Sequence, residues 1–77
     1  MDAKLLEARR KLEDIPSKAE YYTIVNRAKL TDVERQVVDM KYLNGKSLIF
    51  IGEEIGYSEN TVKKLHHSAL RKLAKLI

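Results

Sequence analysis

The hydrophobic pattern of the last thirty residues predicts two helices joined by a tight turn. Leu48, Ile51 and Ile55 recur at intervals of three and four, which places them on one face of a helix that Ser47 begins. Gly56 follows the last apolar position, and glycine is common there because it adopts positive φ without a Cβ penalty. Two helices connected in this way are typical of a helix-turn-helix.

The second helix of this pair is long and basic. Ser58 offers its hydroxyl to the N–H groups at the start, and Glu59 complements the positive end of the helix dipole. An apolar stripe along residues 59–76 consists of Val62, Leu65, Ala69, Leu73 and Leu76. The opposite face carries Asn60, Lys63, Lys64, His67 and Arg71.

Gly52 lies in the middle of the shorter helix, where glycine costs about 1 kcal/mol relative to alanine. A close approach of the longer helix would explain it, since Val62 and Leu65 follow ten and thirteen residues later. We therefore expect the two helices to cross tightly at this glycine.

Three further helices precede the pair. The first is predicted over residues 2–14 and ends before Pro16, because proline pushes the preceding residue out of the helical region. Ser17 and Thr31 each precede a glutamate by three residues, a pattern that caps the start of a helix. The third helix runs from about residue 32 to 43. The apolar positions of the three helices are Leu5, Ala8, Leu12 and Ile15, then Tyr21, Ile24, Val25 and Ala28, then Val33, Val37 and Met40.

These elements predict an all-α, five-helix small domain. It has an N-terminal helical hairpin or arm at residues 1–29 and a C-terminal trihelical helix-turn-helix domain at residues 30–77. Ile49 and Phe50 lie off the apolar stripe of the fourth helix, so at least one of them needs a cover. We expect the N-terminal hairpin to supply it, and a partner protein or a second copy is the alternative.

Composition narrows the class of protein. With 77 residues the chain is one small domain, and without cysteine it has no disulfide framework or thiolate metal site. A run of eighteen apolar residues is absent, and the N-terminus lacks the apolar stretch of a signal peptide. We expect a cytoplasmic protein without a membrane partner.

The charge is concentrated in the last helix. Residues 58–77 contain five Lys/Arg against one Asp/Glu, whereas residues 31–57 contain three against five. A basic helix attracts the phosphate backbone of nucleic acid, although a solvated lysine-rich surface would have the same composition. The charge indicates nucleic acid only in combination with the turn spacing.

The sequence gives little support for an active site or a metal site. His66 and His67 are adjacent, so on a helix they point about 100° apart and do not chelate one metal. No nucleophile or glycine phosphate loop accompanies the carboxylates at Asp32, Glu34, Glu53 and Glu54. We expect no enzyme, no catalytic residue, no cofactor and no metal.

Residues 30–76 resemble region 4 of the sigma-70 family, the domain that reads the −35 promoter element. The resemblance rests on L-T-D-V-E-R-Q-V-V-D-M-K-Y-L-N-G from Leu30 to Gly45, on K-S-L-I-F-I-G-E-E-I-G-Y-S-E-N-T-V-K-K-L, and on A-L-R-K-L from Ala69 to Leu73. The LuxR-type helix-turn-helix is the alternative, since it shares the opening Leu-Thr, a similar T-V-K and a similar R-K-L ending. The sixteen residues from Leu30 to Gly45, with Tyr42 near the end, favour the sigma-like pattern.

The resemblance also has limits. No counterpart of the region that opens the −10 element is present, so we do not expect the chain to melt a promoter alone. A small sigma-region-4-like protein with a helical extension is similar to phage and prophage transcription regulators of the ArpU and RinA type, which implies a bacterial or phage-infected cell. Sigma region 4 often has Arg and Glu where Glu59 and Asn60 stand here, so the −35 hexamer is not assumed as the target.

The predicted function is a sequence-specific, double-stranded DNA-binding transcriptional regulator with helix 59–76 in the major groove. The predicted base contacts are Asn60 to adenine, Lys63 or Lys64 to guanine, Glu59 to cytosine, and His67. The predicted backbone contacts are Ser47, Ser58, Thr61 and Arg71. A phosphate contact is the alternative for Lys63, a helix-start charge for Glu59, and a cap for Ser58.

A protein-binding adaptor is the second function that the sequence leaves open. It would dock on RNA polymerase or another assembly, or form a homodimer, through the surface at Ile49 and Phe50 or through the Leu5 and Leu12 stripe.

Overall fold

The computed structural model describes residues 3–15 and 17–76, and most of them are helical. The five α-helices described are α1 (Ala3–Asp14), α2 (Lys18–Arg27), α3 (Asp32–Val38), α4 (Leu48–Ile55) and α5 (Glu59–Ala74). A π-helical turn, Asp39–Leu43, directly continues α3. These residues include no strand, which confirms the all-α prediction. The predicted roles of Asp2 and Pro16 at the two ends of the first helix lie outside the described residues.

Local capping explains where four of the helices begin. The side chains of Ser17, Thr31, Ser47 and Ser58 each accept a hydrogen bond from the backbone N–H three residues later. At Thr31 the capping box is complete, because the Glu34 carboxylate also accepts from the Thr31 N–H at 2.9 Å. The predicted helix starts at these four positions are confirmed.

Two glycines shape the turn between α4 and α5. Gly56 adopts φ 82°, the left-handed conformation predicted at the end of α4. A Cβ at Gly52 would lie 2.5 Å from the carbonyl oxygen of Tyr57 and 3.3 Å from Cγ2 of Val62. The close approach predicted from the sequence is therefore the reason for glycine at position 52.

The core has two clusters that meet along α5. In the smaller cluster, α3, α4 and α5 pack together through Val37, Ile51 and Val62. In the larger cluster, α1 and α2 pack against Val38 and the C-terminal half of α5. Its buried residues are Leu5, Ala8, Leu12, Tyr21, Val25, Val38, Ala69, Leu70, Leu73 and Ala74.

The π-helical turn differs from the single α-helix predicted over residues 32–43. A π-turn inserts an additional residue and so changes the direction of the side chains around it. Here the Asp39 carboxylate accepts a hydrogen bond from the Tyr21 hydroxyl at 2.7 Å, and the Tyr42 hydroxyl lies 2.6 Å from Nε2 of His66. Through Asp39 and Tyr42 the turn forms polar contacts with α2 and α5, which are distant from it in sequence.

The expected cover for α4 is wrong. Ile49 is 55% exposed and Phe50 is 37% exposed, because the apolar stripe of α1 packs against α5 instead. The buried residues of α5 also differ from the predicted apolar stripe. Leu76 is exposed, whereas His66, Leu70 and Ala74 are buried.

Candidate nucleic-acid interface

The outward face of α5 presents the predicted polar residues together. Asn60, Lys63, Lys64, His67 and Arg71 are all exposed, and we call this set the reading face. Four of them, from Lys63 to Arg71, line one open groove. The inner face of the same helix is fixed by the two core clusters, so the reading face is held outward.

Glu59 lies in the first turn of α5 beside the reading face. Its carboxylate is 3.9 Å from the Lys63 ammonium, and both side chains are about half exposed, at 44% and 58%. Such an exposed pair contributes little to stability. The position nevertheless suits a carboxylate, because the start of a helix is electropositive.

Two of the three hydroxyls predicted to contact the DNA backbone also serve as helix caps, and the third is a partner of one of these caps. Ser47 accepts from the Phe50 N–H at 3.1 Å. Ser58 accepts from the Thr61 N–H at 3.2 Å and donates to the Thr61 hydroxyl at 3.0 Å. The structure therefore places these three at the starts of α4 and α5, whereas Arg71 lies on the reading face.

A second basic surface adjoins the reading face. We call it the lateral groove, and its lining includes Arg9 from α1, Lys41 from the π-helical turn, Leu48 from the start of α4, and Lys63 and His67 from α5. The last two residues line both surfaces, so the two are continuous. Arg9 and Lys41 were not among the predicted site residues, because only the packing of α1 on α5 brings Arg9 to this place.

His66 also lines the lateral groove, but it is only 7% exposed and packs against Tyr42. Burial lowers the pKa of His66 to about 4, and the positive charges of Lys41, Arg9 and His67 act in the same direction. Burial raises the pKa of Tyr42 to about 12, so its hydroxyl stays protonated and forms a hydrogen bond with Nε2 of the neutral imidazole. The tautomer of His66 decides which of the two groups donates. His66 thus joins α5 to the π-helical turn instead of reaching the exposed face.

Glu34 connects α3 to the C-terminal half of α5. Its carboxylate accepts from the Ser68 hydroxyl at 2.5 Å and from the Lys72 ammonium at 2.6 Å. Burial acts to raise the pKa of Glu34, but the hydrogen bonds from Lys72, Ser68 and Thr31 outweigh it and lower the pKa to about 2. Lys72 is therefore paired with a buried carboxylate, although it lies on a basic helix.

The candidate carboxylate cluster does not form one site. Glu34 is buried in the contact with α5, whereas Glu53 and Glu54 are exposed on α4. Among residues 3–15 and 17–76, no group of three His, Asp or Glu side chains is arranged to hold a metal ion. Within the same residues, every helix is too short or too polar to cross a membrane.

Comparison with known protein families decides between the resemblances. The family model for Sigma-70, region 4 matches residues 28–75, which include all of α3, α4 and α5. The chain belongs to the sigma-70 region 4 family. No curated protein and no solved structure matches it. The sigma-70 region 4 family binds DNA and the core of RNA polymerase.

The matched residues include the whole reading face but only part of the lateral groove. The reading face lies wholly within the sigma-70 region 4 match, on the second helix of the helix-turn-helix. Helices α1 and α2 end before residue 28, so Arg9 is an addition to the family domain.

Proposed function

We propose that this sigma-70 region 4 protein is a sequence-specific, double-stranded DNA-binding transcriptional regulator. The observation that carries the proposal is the reading face, an exposed and mainly basic surface on the second helix of a helix-turn-helix. That helix is the one that such motifs place in the major groove.

Each residue of the reading face has a role that its chemistry suits. The amide of Asn60 matches the paired donor and acceptor of adenine, and the ammonium of Lys63 or Lys64 matches the two acceptors of guanine. His67 lies one turn further along the helix and extends the base contacts. Arg71 lies beyond them and contacts phosphate.

The start of each helix supplies the remaining contacts. Glu59 accepts from N4 of cytosine in this proposal, with its effect on the helix dipole as the alternative. Ser47, Ser58 and Thr61 contact the backbone, and the first two also cap α4 and α5. The resemblance to phage regulators of the ArpU and RinA type stays a prediction.

A protein-binding adaptor is the second candidate function. The family binds the core of RNA polymerase, and Ile49 and Phe50 leave an exposed apolar patch on α4. Docking on polymerase or pairing with a second copy would cover this patch. The patch lies on α4, whereas the reading face lies on α5.

The test begins by selecting bound duplexes from a random DNA pool. Fluorescence anisotropy then compares the selected duplex with a scrambled one over a range of salt concentrations. We expect Lys63→Ala to weaken binding to the selected duplex roughly 5- to 150-fold, the equivalent of one base contact, and to relax sequence preference. Arg71→Ala should weaken binding to both duplexes and reduce the salt slope by about 1.

Lys75→Ala is the matched control, because Lys75 is exposed just beyond α5 and lines neither basic surface. Equal losses for Lys63→Ala on selected and scrambled DNA would contradict base reading by Lys63. Failure of the unmodified protein to bind any duplex, together with capture of polymerase core, would favour the adaptor instead.

A further inference from the structure

The lateral groove brings together basic residues from parts of the chain that are far apart in sequence. Arg9 belongs to α1 and Lys41 to the π-helical turn, and both line the groove with Lys63 and His67 of α5. Arg9 lies outside the sigma-70 region 4 match, so the family domain alone does not account for this surface.

The electrostatics of the groove favour an anion. Burial is the main cause that lowers the pKa of His66, and the charges of Lys41 and Arg9, which line the groove with it, act in the same direction. The start of α4 also reaches the groove at Leu48, and the first N–H groups of a helix attract negative charge.

Glu13 is the opposing charge. Its Oε1 accepts from Nε of Arg9 at 2.9 Å, and the two side chains are 46% and 44% exposed. An exposed pair of this kind is weak, and a guanidinium has five N–H donors. Arg9 therefore retains donors for a phosphate while it contacts Glu13.

The groove is also in the right place for DNA. A helix in the major groove is flanked on both sides by phosphodiester strands. Lys63 and His67 line both the reading face and the lateral groove, so a strand beside the reading face would continue into the lateral groove.

We propose that the lateral groove holds backbone phosphates of the bound duplex, with Arg9 and Lys41 as the contacting residues. Helix α1 is then part of the DNA interface, and it extends the contact beyond the family domain. This proposal rests on the proposed function, because it assumes that α5 occupies the major groove.

The test measures binding of the full chain to the selected duplex, extended by several base pairs on each side, as a function of salt. Each phosphate contact contributes about 0.9 to the slope of log K against log salt concentration. We expect the double variant Arg9→Ala, Lys41→Ala to reduce this slope by about 1.8 and to keep the sequence preference. Arg9→Lys should retain the slope of the unmodified protein.

Arg10→Ala is the matched control, because Arg10 is exposed on the same helix but does not line the groove. Its slope should equal that of the unmodified protein. Equal slope changes for Arg9→Ala and Arg10→Ala would overturn the proposal and leave the proposed function intact. Absence of DNA binding by the unmodified protein would overturn both.

Two further measurements keep the result independent of folding. Glu13→Gln removes the negative charge beside Arg9, which repels a phosphate, so it should tighten binding, and unchanged affinity would overturn the proposal. Ethylation interference should show phosphates on one flank of the site that affect the unmodified protein but not Arg9→Ala. An identical interference pattern for the two proteins would also overturn it.

Discussion

A single missing Cβ allows α4 and α5 to cross. We expect Gly52→Ala to lower the free energy of unfolding by about 1–2 kcal/mol, because overpacking usually costs about 1–3 kcal/mol and the better helix propensity of alanine offsets about 1 kcal/mol of that cost. The new Cβ would meet the backbone carbonyl of Tyr57 at 2.5 Å, and a backbone atom moves less easily than the end of a side chain. This cost should exceed the gain of about 1 kcal/mol that alanine brings to a helix.

Urea denaturation measures the effect of Gly52→Ala, with Glu53→Ala as the control. Glu53 is the next residue on the same helix and is exposed, so its replacement should change stability by less than about 0.5 kcal/mol. A Gly52→Ala protein as stable as the unmodified protein would show that α4 and α5 can separate without loss.

At the scale of single residues, local chemistry was predictable and distant pairing was not. Gly56 and Thr31 act through their own backbone and their near neighbours, so the sequence pattern contains their signal. The hydrogen bond between Tyr42 and His66 joins residues 24 positions apart, and it depends on how the π-helical turn faces α5. No pattern in the sequence indicates that pairing.

At the scale of elements, one buried carboxylate joins α3 to α5. The pKa of Glu34 is about 2 in the folded protein, below the ordinary value of 4.5. Its ionised form therefore stabilises the fold above pH 4.5, and this contribution is lost as the pH falls towards 2. We expect Glu34→Gln to lower the free energy of unfolding at neutral pH by on the order of 3 kcal/mol, since one pKa unit corresponds to about 1.4 kcal/mol.

Urea denaturation between pH 7 and about pH 2 tests this contribution of Glu34. The two stability curves should converge as the pH approaches 2. Burial also lowers the pKa of His66, from 6.5 to about 4, so both proteins should lose stability over that higher range. The difference between the two stability curves therefore reports the contribution of Glu34. Glu54→Gln, at an exposed position, should follow the unmodified protein, and a constant difference for Glu34→Gln at all pH values would contradict the assignment.

The buried face of each helix was predictable because the helical period is fixed. The helix that packs against that face was not predictable. The spacing of Leu5, Ala8 and Leu12 identifies a buried stripe without indicating which helix covers it. The stripe was expected near Ile49 and Phe50, and it lies against α5 instead. For the same reason the reading face was found from periodicity, whereas Arg9 reached the site only through tertiary packing.

At the scale of the whole molecule, α5 belongs to both core clusters. Its N-terminal half contributes Val62 to the cluster with α3 and α4, and its C-terminal half contributes Leu70 and Leu73 to the cluster with α1 and α2. A continuous helix that enters both clusters couples their stability. The sequence predicted two parts that divide after residue 29. The packing of α5 in both clusters favours instead a single unit that unfolds cooperatively.

Leu12→Ala tests whether the chain unfolds as one unit. Leu12 is 4% exposed, so its truncation should cost about 2–5 kcal/mol. Hydrogen exchange should then show reduced protection in α4 as well as in α1, because α5 connects the two clusters. Leu6→Ala is the control on the same helix, and since Leu6 is 37% exposed it should cost less than about 1 kcal/mol. If α4 kept its full protection while α1 lost it, the helix-turn-helix would be a separate folding unit and α1 an independent arm.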